Sequence, residues 1–322
     1  AQFLRGSELK VIVSATAGKI DAAIGRFEGP LMAYMLKEEQ DFARDSIKEK
    51  LYNVRKSKHY SESFSGLTGI GNFVPTDGAV PYDEFEESYS KTLIHQVFKK
   101  GIEIKRELID DSRVIDMEGM AGMLIDSWNA TLEELLHAPF NNCTQTDFTF
   151  EGKTFDIAVA DGLALASNAH TSKTGKGGTQ DNYTTNTFNV ENLKVAEDMM
   201  KAIKTDIGKK ANVKGDTIFA SYSIRNEVWE AVHSLGKVDS GDNNVNPYKD
   251  KFNVVISDWL NDGYWFLIDS RVLRRNLYFL ERHPLKVTSQ VDFNTDNWQI
   301  KAYARNSLGF KSWEPVICNI PA

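Results

Sequence analysis

The stretch GLALASNAHTSKTGKGGTQDNY, Gly162–Tyr183, gathers a histidine, two lysines among glycines and an aspartate between apolar flanks. Such residues serve phosphate binding, where glycines open backbone N–H groups and a lysine neutralises charge. They also serve general acid–base catalysis, where an imidazole moves a proton. The phosphate pattern G-x-x-x-x-G-K-[ST] fails, because Gly177 follows Gly175-Lys176 and no glycine stands five residues earlier. His170, among Asn, Thr and Gly, reads as a hydrogen-bonding or surface residue. A hydrolase using Asp161 and His170 is the enzymatic alternative, and no further motif supports it.

The remaining candidates are weaker still. GLTGIG, Gly66–Gly71, has the glycines of a dinucleotide loop without a strand-then-helix context, and Pro75 follows closely. The six histidines are scattered and form no H-E-x-x-H pair. Asp242, Asn244 and Asn246 have the opening spacing of a calcium loop, but Pro247 replaces the glycine and Asn253 the bidentate glutamate, so a polar turn is expected. No G-x-S-x-G elbow is present. Asp110 and Asp111 are better explained as helix caps, and Asn129 of the N-A-T triplet lies inside a helix rather than at a glycan site. The expectation is a non-enzyme with no catalytic residue, cofactor or metal.

The elements around these residues are clearer. Pro30 is suited to open a helix, and the charged segment to about Val54, with a thin stripe at Leu31, Met35, Phe42 and Leu51, reads as a solvated helix. Ser63–Phe85 is a long Gly/Pro-rich loop, a kind that is usually functional. Ile102, Ile104 and Leu108 alternate with charged residues, which predicts strands, with a kink or turn at Lys100-Gly101. Val114, Met117, Ala121, Leu124, Trp128, Leu132 and Leu135 recur at steps of three or four, and Pro139 closes a helix of roughly 39 Å. Asn189 caps a helix with Leu193, Ala196, Met200, Ile203 and Ile207 on one face, which Gly208 stops. Apolar strands follow in FNVVIS, YWFLIDS, Val287–Phe293 and Gln299–Tyr303. Helices and strands mix without a βαβ rhythm, so the fold class is α+β.

The chain has 322 residues and a net charge of −7, which argues against a surface built to grip nucleic acid tightly. Cys143 and Cys318 define no disulfide framework, and a reducing compartment is expected. No apolar run approaches a bilayer span, and the first residues lack the core of a secretion signal.

The segment YSKTLIHQVFKKGIEIKRELIDDSRVIDMEGMAGMLIDSWNATLEELLHAPFNN resembles the major capsid proteins of tailed double-stranded DNA bacteriophages. In that family a strand of the form F-x-x-G-[FI]-x-I-x-R-E-L-I-D-D enters a long helix ending in Phe-Asn. Phe98, Gly101, Ile102, Ile104, Arg106, Glu107, Leu108, Ile109, Asp110 and Asp111 fit it, as do Phe140 and Asn141. DGLALASNAH is similar to the family's D-G-x-x-L-[FA]-S-x-x-H, through Asp161, Gly162, Leu165, Ala166, Ser167 and His170, with alanine at 166 where phenylalanine is common. NPYKDKFNVVISDWLNDGYWFLID resembles the family's loop, strand and W-F-L-x-D run. The similarity spans about Tyr82 to Trp313, and the first sixty residues do not align.

The resemblance implies the Hong Kong 97-type capsid fold. It implies an N-terminal arm (1–62), an extended E-loop (63–99) and a peripheral domain (100–188) with a spine helix at 112–138. An axial domain (189–270) and C-terminal strands returning to the peripheral domain (271–322) complete it. The implied function is a structural subunit forming hexamers and pentamers of an icosahedral head around double-stranded DNA, assembled in a host bacterial cytoplasm and located in the virion. Portal and scaffold or decoration proteins are the implied partners, with no membrane. A phage-derived nanocompartment shell is the alternative. The Gly162–Tyr183 loop is then expected to be a surface segment joining the two domains.

Overall fold

A computed structural model describes residues 42, 46–83, 86–107, 114–236 and 245–321, with the backbone alone for 114–121. The expected opening helix at Pro30, most of the N-terminal arm, the caps at Asp110–Ser112 and the pair Asp242 and Asn244 lie outside the described residues.

The charged N-terminal segment ends as α1 (Ile47–Leu51), capped by Ser46, whose Oγ accepts from Lys48 N at 3.1 Å. It stops short of the expected Val54, because Tyr52 turns extended and β1 (Asn53–Lys56) pairs in parallel with β13 (Leu277–Val291). β2 (Ser61–Leu67) and β3 (Glu87–Ile94) form an antiparallel hairpin of their own. The break between β3 and β4 (Gln96–Ile104) falls at His95, not at Lys100-Gly101. Gly101 instead lies within β4, where a Cβ would come 3.3 Å from the Ile300 carbonyl of β14 (Trp298–Phe310). Its lack of a side chain allows close strand approach rather than a turn.

The spine helix α2 runs Val114–Asn141, 28 residues or about 42 Å. It passes Pro139, which removes only one N–H near the helix end, and Asn142 N still donates to Ala138 O at 2.9 Å. Leu124, Leu132 and Leu135 are buried, and Trp128 is half-buried edge-on to Phe98 of β4. The helix therefore lies against one face of a four-stranded sheet ordered β1-β13-β14-β4. A small hairpin of β5 (Asp147–Phe150) and β6 (Lys153–Asp156) closes over its side.

A five-stranded sheet, ordered β11-β10-β12-β15-β9, forms the second body. β10 (Thr217–Ser221), β12 (Trp265–Ile268) and β15 (Val316–Asn319) are buried at every position, as expected for strands covered on both faces. β11 (Asn253–Ser257) and the short β9 (Tyr183–Thr184) are its edges. α3 (Val190–Ala202) and α4 (Arg225–His233) pack on this sheet. Asn189 caps α3 as expected, its Oδ1 accepting from Asn192 N at 2.7 Å. The helix ends at Ala202, however, where Ile203 turns extended; Gly208 serves a later turn with φ of +81°. The last strand β15 joins this sheet rather than returning with β13 and β14 to the other.

Phe140 joins the two bodies. Its ring centroid lies 5.0 Å from that of Phe219, 5.3 Å from Phe266 and 5.5 Å from Phe310, all edge-on. Its neighbour Asn141 donates to Trp259 O at 2.9 Å and accepts from Asn261 N at 2.9 Å, fixing the β11–β12 turn. The Phe-Asn pair at the helix end is thus a joint.

Candidate functional site

His170 and Asp161 do meet. His170 Nδ1 lies 2.7 Å from Asp161 Oδ2, Nε2 lies 3.2 Å from Leu165 O, and the ring stacks on Trp313 at 4.4 Å. The histidine is 0% exposed. Both ring nitrogens are engaged and both ring faces enclosed, so the group can hold a loop but cannot accept a substrate proton. Asn182, also buried, donates to Leu165 O at 2.8 Å and Val316 O at 3.1 Å, and accepts from Ser167 N. This segment is therefore a buried staple between loop and sheet, not the expected surface excursion. Its polar residues face backbone groups that would otherwise be unpaired in the interior.

Only the later part of the loop is open. β7 (His170–Thr171) pairs with β8 (Thr179–Gln180), and Gly175 and Gly178 turn between them with φ of +72° and +70°. Gly177 N donates to Ser172 Oγ at 2.9 Å, so an N–H a phosphate would need is already used.

A second constellation gave no sequence signal, because its members are 120 residues apart. Ser257 Oγ lies 2.8 Å from His137 Nε2, while His137 Nδ1 donates to Glu133 O at 2.7 Å and stands 3.4 Å from Glu133 Oε2. The arrangement has the order of a hydrolytic Ser-His-Glu set. All three residues are buried, however, and Ser257 Oγ also accepts from Trp259 N at 3.2 Å. Burial pulls His137 down to about 4, which keeps the imidazole neutral as an acceptor for the serine hydroxyl. Burial likewise raises Glu133. The three residues connect spine helix to sheet.

The two cysteines lie together in the core, and burial pushes the Cys318 thiol well above its ordinary range, with Cys143 beside it. Asn246 of the expected polar turn is buried and donates to Ala231 O at 2.8 Å while accepting from Tyr248 N at 2.9 Å.

What the molecule offers outward is surface. The β2–β3 hairpin is held at the loop end of its ladder by Ser88 Oγ to Asp206 and Lys173 Nζ to Ser88 O, and within the connecting loop by Lys209 Nζ to Ile70 O. Beyond this anchor its tip exposes Phe73, Val74, Val80 and Tyr82. Between spine helix, sheet and β5–β6 lies a groove of about 470 Å³ walled by Phe98, Trp128, Phe150 and Phe155.

A family profile described as phage capsid protein matches residues 94–317, well over half of the chain. No curated protein sequence matches it. Among solved structures it is similar to one from Mycobacterium phage Patience, at 9% identity and a TM-score of 0.56, over 99% of this chain and 95% of that one. A structure from Microbacterium phage Oxtober96 gives 13% identity and a TM-score of 0.54 over 99% and 96%. The capsid of an empty GTA particle gives 11% and 0.52 over 86% and 90%. These likenesses establish the Hong Kong 97-type α+β fold, and the family places the protein in the virion. The chain belongs to the phage capsid protein family and is a structural subunit of a multi-subunit shell, not an enzyme.

Proposed function

We propose that copies of this chain form the hexamers and pentamers of an icosahedral head that encloses double-stranded DNA, built in the cytoplasm of a host bacterium. A portal, and a scaffold or decoration protein, complete the assembly. The observation that carries this reading is the hairpin tip. Phe73 and Tyr82 stand almost wholly in water, with Ile70, Val74 and Val80 beside them, on a segment with little core of its own. Clustered exposed apolar side chains mark contact surfaces, and identical patches on identical chains close a symmetric shell although each is weak alone.

In this reading the arm is the chain up to residue 60, and the hairpin Ser61–Ile94 is the E-loop, starting two residues before the 63–99 segment and ending short of it because β4 belongs to the spine-side sheet. The peripheral body is the spine helix with the four-stranded sheet. The axial body is the five-stranded sheet with its helices. The negative net charge fits a wall that contains DNA driven in by a motor and need not attract it. Electron microscopy and sedimentation of the purified protein test the reading: large symmetric particles are expected, and monomer alone across a wide range of salt and concentration overturns it. Particles from infected cells that hold no DNA would favour the nanocompartment instead.

A further inference from the structure

Beyond the buried staple, two tight turns stand side by side on the surface. One joins β7 to β8 and carries Lys173 and Lys176; the other follows α3 and carries Lys204, Lys209 and Lys210. The second closes as a narrow hairpin. Thr205 N donates to Lys209 O at 2.6 Å, Ala211 N donates to Ile203 O at 2.9 Å, and Lys204 pairs directly with Lys210. Directly opposed side chains leave a ladder on the same side, where like charges repel.

Glycines lock the two turns together. A Cβ at Gly177 would come 2.8 Å from Thr205 O, and one at Gly208 would come 2.7 Å from Lys176 O, so neither position admits a side chain without parting the turns. Thr174 Oγ1 donates to Asp206 O, and the Gln180 side chain donates to Lys204 O at 3.0 Å while accepting from Lys204 N at 2.6 Å. Lys176 is thereby held near the Lys204–Lys210 pair. Segments 171–180 and 203–211 contain five lysines and one acid, Asp206. Asp206 already accepts from Ser88 Oγ, and Asp83 of the hairpin from Gly71 N. Lys173 and Lys209 donate to hairpin carbonyls, whereas Lys176, Lys204 and Lys210 are exposed and their ammonium groups have no hydrogen bond or ion pair among the described residues.

The kind of partner follows from what else the turns present. Ile203 is buried and Ile207 packs against Gly69, so no large apolar side chain of the two turns is exposed. A protein partner would ordinarily seek an apolar centre, whereas ammonium groups alone suit a phosphate backbone. Lys176 N and Gly177 N donate to Thr174 Oγ1 and Ser172 Oγ, so the turns offer point charges rather than a backbone cradle for a nucleotide. We propose that Lys176, Lys204 and Lys210 form a contact point for the phosphate backbone of a nucleic-acid duplex, bound without reading its sequence. The inference rests on the shell reading above for its ligand, the enclosed double-stranded DNA. The net charge of −7 keeps each contact weak, while repetition over many copies adds them together. Salt screens the chain's distant acids beyond about 8–10 Å, so the local cluster decides the contact.

The test uses the unassembled full chain and a labelled DNA duplex, read by fluorescence anisotropy over a range of salt. Three neutralised phosphates give a slope of log affinity against log salt of about −2.7. Lys176→Gln with Lys204→Gln and Lys210→Gln should weaken binding at low salt at least about tenfold and flatten that slope by about 2–3. Lys56→Gln with Lys249→Gln and Lys301→Gln, at positions that are also exposed, changes the net charge equally and should bind as the parent does. Equal weakening in the two variants would trace binding to net charge and overturn the proposal. So would a parent that does not bind the duplex. A parent that prefers polyglutamate, and loses it in the first variant, would assign the lysines to an acidic protein instead. Sedimentation keeps the two readings apart: monomer alone overturns the shell reading whatever the duplex result, whereas particles from a chain that ignores the duplex overturn only this proposal.

Discussion

Ser257 Oγ sits 2.8 Å from His137 Nε2, and this buried hydrogen bond links the spine helix to the edge strand of the five-stranded sheet. His137 spends Nδ1 on the Glu133 carbonyl, so Nε2 can accept from the serine only while the ring is neutral. Burial enforces that state by lowering His137 from 6.5 to about 4.

A pH dependence follows from this pair. Between pH 6.5 and 4 the unfolded chain takes up a proton at this position and the folded chain does not, so stability falls as pH falls. The contribution is fully present above pH 6.5 and shrinks by about 3 kcal/mol on descending through pH 4. Glu314 acts oppositely: burial, then Asp206, raises it to about 6, so its contribution is lost as pH rises through that value. Comparing parent with His137→Gln removes such common terms. Urea unfolding of unassembled protein at pH 7 and pH 4.5 should show the parent losing roughly 2–3 kcal/mol more than the variant. Equal losses would refute the assignment.

His170→Ala should be strongly destabilising, although His170 does no chemistry. The substitution removes the Nδ1 partner of Asp161, whose side chain is 5% exposed, and empties the space over Trp313. Breaking a buried pair from one side costs about 3–5 kcal/mol. Restoring neutrality with Asp161→Asn in the same chain should return part of that loss. Denaturant midpoints of the single and double variants measure both effects, and a single-variant loss below about 1 kcal/mol would contradict the buried-staple geometry.

Phe140→Ala should cost about 3–5 kcal/mol, because the ring touches three others and leaves a cavity where the two bodies meet. Unlike a loss confined to one body, this one should lower the unfolding temperature of both. Variants that keep only Trp128 or only Trp265 of the six tryptophans would read the two by fluorescence, since Trp128 lies on the spine side and Trp265 within the five-stranded sheet.

The sequence showed most plainly what repeats locally. The spacing of Leu124, Leu132 and Leu135 on the spine, and Asn189 before α3, follow from short-range periodicity and capping, and the structure keeps both. Ends were less legible. Pro139 reads as a stop, yet near a helix end it removes just one donor. Gly101 reads as a turn, yet it answers a backbone 199 positions away at Ile300. The site suffered more, for the same reason. His137 and Ser257 become neighbours only through long-range pairing that no local pattern encodes. His170 reads as a hydrogen-bonding or surface residue because its own loop is polar; it is hydrogen-bonded, and its burial is set by Trp313, far along the chain.

The hairpin tip gives the last prediction. Residues 71–82 are exposed throughout, carry Pro75, Gly78 and Pro81, and form no regular strand. The flanks differ: β2 and β3 are paired with each other, Phe64 stacks on Tyr278 at 4.2 Å, and Lys91 bonds Asp156 at 2.7 Å. A protease needs several residues of extended backbone free of partners, and among the described residues of the hairpin only the tip supplies them in a lone subunit. Limited proteolysis of unassembled protein should therefore cut between Gly71 and Asp83 and spare the paired flanks. In assembled particles the tip would lie on a neighbour, where its backbone and apolar side chains gain partners. Cleavage there should slow by at least about tenfold, and amide exchange at 71–83 should slow with it. If the tip is cut equally fast in both states, it makes no contact between copies, and the role given to the hairpin in assembly is wrong.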